Sequence, residues 1–162
     1  MLIETAVINA SPFILLCKSG LVELLPEIFD KIYMPEAVSE EIIRGDDIAS
    51  ENFFDYRKTW LGSCKTEIVE EVLVWNLGSG ETEVLSFVFE NKADFTALVD
   101  DRAARKCAAT LGIKTLGTDG ILVVAKKHGL IKKVSVELKK LQDAGLWLSI
   151  EVVDAILKQA SE

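Results

Sequence analysis

Two short runs of the chain are largely apolar and stop abruptly on polar residues. Residues 2–8 end at Asn9, and residues 95–99 end at Asp100 and Asp101. Strict alternation would mark a strand with one wet face. A near-continuous run of this length marks a strand covered on both sides, as in a parallel sheet between helices. Residues 31–34 and 114–116 read as two further short strands. Each polar tip is therefore placed at the carboxyl end of a sheet strand, where open α/β sheets bind their ligands.

Helical segments separate the strands. Ser11 and Pro12 give an N-cap and a proline start to a helix through Cys17 that stops at Gly20. A second helix over 21–29 bends or restarts at Pro26. Pro35 opens a helix to Arg44, stopped by Gly45. Residues 46–64 are the least regular, with a short helix near 51–57. Residues 65–75 mix apolar and acidic positions and fit helix or strand. Gly78-Ser79-Gly80 reads as a flexible turn into a helix over 81–90. A helix over 101–111 stops at Gly112, and Thr118 caps a helix ending near His128. Two amphipathic helices follow, over 132–144 and 149–160. The alternation implies a parallel sheet with helices on both faces.

A chain of 162 residues is one domain by its length. No apolar run reaches the roughly 18 residues of a membrane span. The start of the chain lacks a basic region and a cleavage site, so no secretory signal is expected. Cys17, Cys64 and Cys107 are odd in number and show no CxxC spacing, which excludes a disulfide framework and a zinc ribbon. Cys17 and Cys107 fall in apolar helical patterns as buried thiols. These features together lead to the expectation of a cytoplasmic protein. The net charge of -8 is uneven. Residues 1–101 carry 7 Lys/Arg against 20 Asp/Glu, and residues 102–162 carry 11 against 6. The basic part, with Arg102, Arg105, Lys126 and Lys127, can hold a polyanion or can be ordinary solvated helix surface.

The acidic residues that share an inward position are few. Glu41 follows Val38 by three on the Pro35 helix, beside the Val38–Ile42 stripe, whereas Glu40 turns about 100° away. Glu81 precedes Val84 and Leu85 and opens its helix on the inner face; Glu83 lies off that face. Asp100 and Asp101 end a buried strand, as Asn9 ends another. Carboxylates gathered at one end of a sheet bind hard divalent cations, and such cations hydrolyse phosphodiesters. Each residue also has an ordinary role: an N-cap for Asp100 or Asp101, a turn for Asn9, a helix-dipole partner for Glu81, a surface acid for Glu41. His128 is the sole histidine, so no Ser-His-Asp or Cys-His set can be assembled without it. Gly78-Ser79-Gly80 lacks the Lys-Ser/Thr of a Walker loop.

Five segments carry a family resemblance. They are Val7-Ile8-Asn9-Ala10-Ser11-Pro12, Pro35-Glu36-Ala37-Val38-Ser39-Glu40-Glu41, Gly80-Glu81-Thr82-Glu83, Leu98-Val99-Asp100-Asp101-Arg102-Ala103-Ala104-Arg105 and Gly117-Thr118-Asp119-Gly120-Ile121-Leu122. In this order the chain resembles PIN-domain proteins, in the prokaryotic branch whose first motif reads Asn-Ala/Ser-Ser-Pro. The resemblance implies a PIN-like three-layer α/β/α sandwich with a mostly parallel sheet. Residues 1–131 would form the α/β domain, with 132–162 as a helical extension packed on it. It also implies a Mg²⁺- or Mn²⁺-dependent ribonuclease, often the toxin of a toxin–antitoxin pair. The implied catalytic residues are Asn9, Glu41, Glu81 and Asp101, with metal held by Asn9, Glu81, Asp100 and Asp101. RNA phosphates would meet Arg102, Arg105, Lys126 and Lys127, and the partners implied are RNA, an antitoxin protein and a second copy of the chain. Asn9 stands where most of the family has aspartate. An amide oxygen still ligates a cation but adds no charge and cannot serve as a base, so a binding protein that has lost the chemistry is the competing expectation.

Overall fold

The computed structural model describes residues 3–91 and 93–162, so Leu2 of the first expected strand lies outside the described residues. Strand β1 (Ile3–Ile8) occupies the middle of a five-stranded sheet. The chain continues through α1 (Ala10–Ser19), α2 (Leu24–Ile28), β2 (Phe29–Pro35), α3 (Glu36–Arg44), α4 (Ile48–Arg57), β3 (Leu61–Cys64) and α5 (Glu70–Leu73). It then forms α6 (Ser79–Glu90), β4 (Phe95–Leu98), α7 (Arg102–Thr110), β5 (Thr115–Leu116), α8 (Thr118–Lys127), α9 (Val134–Asp143) and α10 (Ile150–Gln159). The strand order is β3-β2-β1-β4-β5, and every pairing is parallel. Helices flank the sheet on both faces, giving the three-layer α/β/α sandwich that the alternation implies.

The two apolar runs are neighbours at the centre. Ala6, Val7 and Ile8 of β1 and Ala97 and Leu98 of β4 are fully buried. Ile8 pairs with Leu98, and the Asn9 N–H donates to the Leu98 carbonyl at 3.0 Å. The polar residues that follow each strand therefore leave the sheet side by side. The chain builds outward from β1 through β2 to β3, then returns to lay β4 and β5 on the other side of β1. Such a reversal is where open α/β sheets form their ligand crevice, here beyond the carboxyl ends of β1 and β4.

Several local expectations shift. Helix α1 starts at Ala10, with Asn9 in the N-cap position, so Ser11 does not cap it; Pro12 still falls in the first turn, where an N–H has no intrahelical partner. Gly117, not Thr118, precedes α8, because the Thr118 hydroxyl is engaged elsewhere. The 46–64 stretch holds α4, started by an Asp47–Ser50 capping box, and the edge strand β3. Only Leu61 of β3 is buried, so no apolar pattern marked it. Residues 65–75 are neither strand nor long helix, but irregular chain with the single turn α5. Ser79 and Gly80 are not a free turn; they form the first turn of α6.

The last two helices pack on the rest. Helix α9 lies against α1 and α8, and α10 against α8. The Glu162 carboxylate fastens them: it accepts from Lys126 Nζ at 2.9 Å, from the Val134 N–H at 2.5 Å and from the Ser135 N–H at 3.1 Å. The Lys126 bond, then those at the start of α9, lower its pKa from 4.5 to about 2. A lowered carboxylate stabilises the fold above its ordinary pKa and loses that contribution as pH falls through the folded value. Glu162→Gln should therefore reduce resistance to urea at pH 6. The gap from the parent should close between pH 4.5 and 2, measured by urea titration across that window.

Candidate active site

One half of the crevice is built on Asn9. It is 4% exposed, and its Nδ2 donates to Glu81 Oε1 at 3.0 Å. Glu81 is half-buried in the first turn of α6. The glycines before it make room for this pair. A Cβ on Gly80 would stand 2.9 Å from Asn9 Oδ1 and 3.4 Å from Val38 Cγ2, and one on Gly78 would stand 2.6 Å from Glu81 Oε2. The glycines are thus space for two polar side chains rather than a phosphate loop.

The other half is built on Asp100. Its Oδ1 accepts from the Thr118 N–H at 2.7 Å, and its Oδ2 from Thr118 Oγ1 at 2.6 Å and Ser11 Oγ at 3.5 Å. Burial pushes the Asp100 pKa above the ordinary value. The two Thr118 bonds oppose the rise, Asp119 adds to it and Arg105 reduces it. Three side chains converge on the bare Cα of Gly117: Arg105 Nη1, Asp119 Oδ1 and Asp100 Oδ1. Asp119 was not among the sequence-selected residues. Its position just past the tip of β5 is the same signal that singled out Asn9 and Asp100.

The remaining candidates are placed differently. Asp101 is exposed, and its Oδ2 accepts from the Ala104 N–H at 2.9 Å as the cap of α7. Asp100, the inward member of the pair, is the more deeply held. Glu41 is exposed on α3, one turn beyond the Val38 that touches the Gly80 site. Glu83 is not the outward residue that helix periodicity suggests: half-buried, it accepts from the Ala37 N–H at 3.1 Å and ties α6 to the start of α3. Arg102 is exposed in the first turn of α7. Lys126 and Lys127 end the helix that Thr118 begins, about 12–14 Å along its axis from Asp100. Lys126 is moreover paired with Glu162.

The donors at the crevice are hard oxygens from Asn9, Glu81, Asp100 and Asp119, the ligand type that Mg²⁺ and Mn²⁺ take. In type the set fits a divalent ion. In geometry it is two half-sites, because among the described residues no three His, Cys, Asp or Glu side chains group closely enough to hold one. The expected single pocket of four carboxylates is therefore not assembled. Glu81 is engaged by Asn9, Asp100 by Thr118, and Asp101 by its own helix.

The sequence profile of a PIN-domain family matches residues 5–162. The chain belongs to the PIN-domain family. Members are generally nucleases that use divalent metals. The match runs through α9 and α10 of this PIN domain. No curated protein matches the sequence. Among solved structures, a PilT N-terminus domain protein from the hyperthermophilic archaeon Sulfolobus solfataricus P2 is similar, with 16% identity and a TM-score of 0.49. The likeness covers 76% of this chain and 95% of that one.

Two substitutions probe how the half-sites are held. Thr118→Val keeps the shape of this fully buried residue but removes one bond to Asp100, and should cost about 1–2 kcal/mol in thermal or urea unfolding. Gly80→Ala gains up to about 1 kcal/mol of helix propensity. It also sets a methyl against Asn9, and overpacking of about 1–3 kcal/mol should leave it less stable than the parent.

Proposed function

We propose that this PIN domain is a Mg²⁺- or Mn²⁺-dependent endoribonuclease acting at the crevice beyond β1 and β4. The observation that supports the reading is the placement of two polar half-sites, Asn9 with Glu81 and Asp100 with Asp119, beside the carboxyl ends of the central strands where strand order reverses. Asn9 Oδ1, Glu81, Asp100 and Asp119 would hold the ion. When bound, it would supply an activated water and charge stabilisation for the leaving oxygen.

The chain's own groups do the positioning. Thr118 fixes Asp100 with a backbone and a hydroxyl donor, and Asn9 fixes Glu81, so neither carboxylate needs to search for its rotamer. Glu83 holds α3 against α6 and so sets where Glu41 stands. Arg105, beside Gly117, and Arg102, at the start of α7, would meet RNA phosphates. The toxin role, an antitoxin-like partner and self-association belong to this reading through the family resemblance alone.

A second reading, a PIN domain that binds RNA or a protein partner without cutting, is favoured by the neutral Asn9 and the unassembled acidic cluster. Cleavage of single-stranded RNA with Mn²⁺ decides between them. Asp100→Asn should lower the rate roughly 100-fold or more. The family resemblance places Asp101 in the catalytic set, so Asp101→Asn should also lower it while preserving the α7 cap, since asparagine caps helices as well as aspartate. Equal rates in the parent and both variants reject the ribonuclease.

Asn9→Asp sets two carboxylates face to face. It should lower the melting temperature without cation and enlarge the rise produced by Mn²⁺, as read by calorimetry. If cleavage appears only in this variant, the non-cutting reading is the correct one for the natural chain.

A further inference from the structure

A separate cavity of about 210 Å³ lies at the carboxyl edge of β3, lined by Glu36, Ser39, Arg57, Ser63, Cys64 and Lys65. The sheet places it level with the crevice. Val7 pairs with Tyr33, so Asn9 and Pro35 each follow that pair by two residues; Pro35 in turn pairs with Cys64. Asn9, Pro35 and Cys64 therefore stand in one row, and two strand spacings separate the first from the last by about 10 Å.

The charge of this cavity runs against its surroundings. Residues 1–101 hold 7 cations among 20 acids, yet two of the seven, Arg57 and Lys65, line one small space. Among the described residues neither comes within 4.0 Å of a carboxylate. The Arg57 guanidinium is steadied over the Phe53 ring, 5.6 Å from its centre. Ser39 is 8% exposed, and its buried Oγ has no hydrogen-bond partner among the described residues. Among the lining residues Glu36 supplies one opposing charge, leaving their net at +1, and Glu83, bonded to the Ala37 N–H, adds a further negative charge felt at Cys64. That balance matches a singly charged phosphodiester better than a doubly charged free phosphate.

We propose that this cavity binds a phosphodiester group of an RNA strand whose neighbouring nucleotides occupy the Asn9–Asp100 crevice, an assignment that rests on the ribonuclease reading. Arg57 and Lys65 contact the phosphate oxygens, with Ser63 at the rim. The site lengthens the bound strand past the point of cleavage and adds affinity without adding chemistry.

The test uses the full chain with Mg²⁺ and a labelled 2′-O-methyl heptaribonucleotide, which resists cleavage, followed by fluorescence anisotropy over a series of salt concentrations. Lys65→Glu, at an exposed position, and the double variant Arg57→Gln/Lys65→Ala should bind about tenfold more weakly. Their dependence of log affinity on log salt should be shallower by about 0.7, one phosphate's worth. Thermal unfolding confirms that each variant is folded.

Cleavage of a dinucleotide, too short to reach β3, should be unchanged. Inorganic phosphate should compete poorly with the strand. Unchanged affinity and slope in both variants overturn the proposal, as does a parent that does not bind the strand. Competition by inorganic phosphate as strong as by a diester overturns the choice of ligand. Absence of cleavage of unmodified RNA, with normal binding of the heptamer, removes the ribonuclease reading and leaves this site standing.

Discussion

The pairing of β1 with β4 is the constraint on which the site depends. Ile8 opposite Leu98, with the Asn9 N–H bonded to the Leu98 carbonyl, fixes where two buried strands stop. Everything polar that follows must emerge at that place, because both faces of each strand are sealed by helices. Asn9 then meets Glu81 from α6, while Ser11 and Thr118 meet Asp100. Seventy or more residues separate the members of the Asn9–Glu81 and Ser11–Asp100 contacts, so a register slip of one residue would exchange the two faces of the strand and undo both.

Hydrogen bonds decide which acids stay available. A buried carboxylate needs donors, and Asp100 takes three. Asp101, one residue on, faces the open N–H groups of α7 and satisfies one of them. Two adjacent aspartates are thereby divided, one toward the crevice and one toward its helix. Sequence position ranks them equally; only the helix start separates them.

The buried runs, the parallel sheet and most helices were legible because they depend on apolar spacing, which is written locally. Strand β3 was not, because an edge strand with a single buried side chain leaves almost no pattern. Glu81 could be placed from the periodicity of α6. Glu83 could not, because its partner is a backbone N–H on another helix. The same limit applies to Thr118: threonine before a helix reads as a cap, and its contact with Asp100 exists only after β4 and β5 have paired. Asp119 was within reach, since it too follows a strand tip.

Helix α8 has a mechanical consequence. Its first residue grips Asp100 and its penultimate residue grips Glu162, so a stiff ten-residue rod is pinned at both ends. Such a strut transmits displacement with little loss, because an intact helix bends far less readily than the loops around it. One helix thus joins the packing of the C-terminal helices to the carboxylate at the sheet's edge.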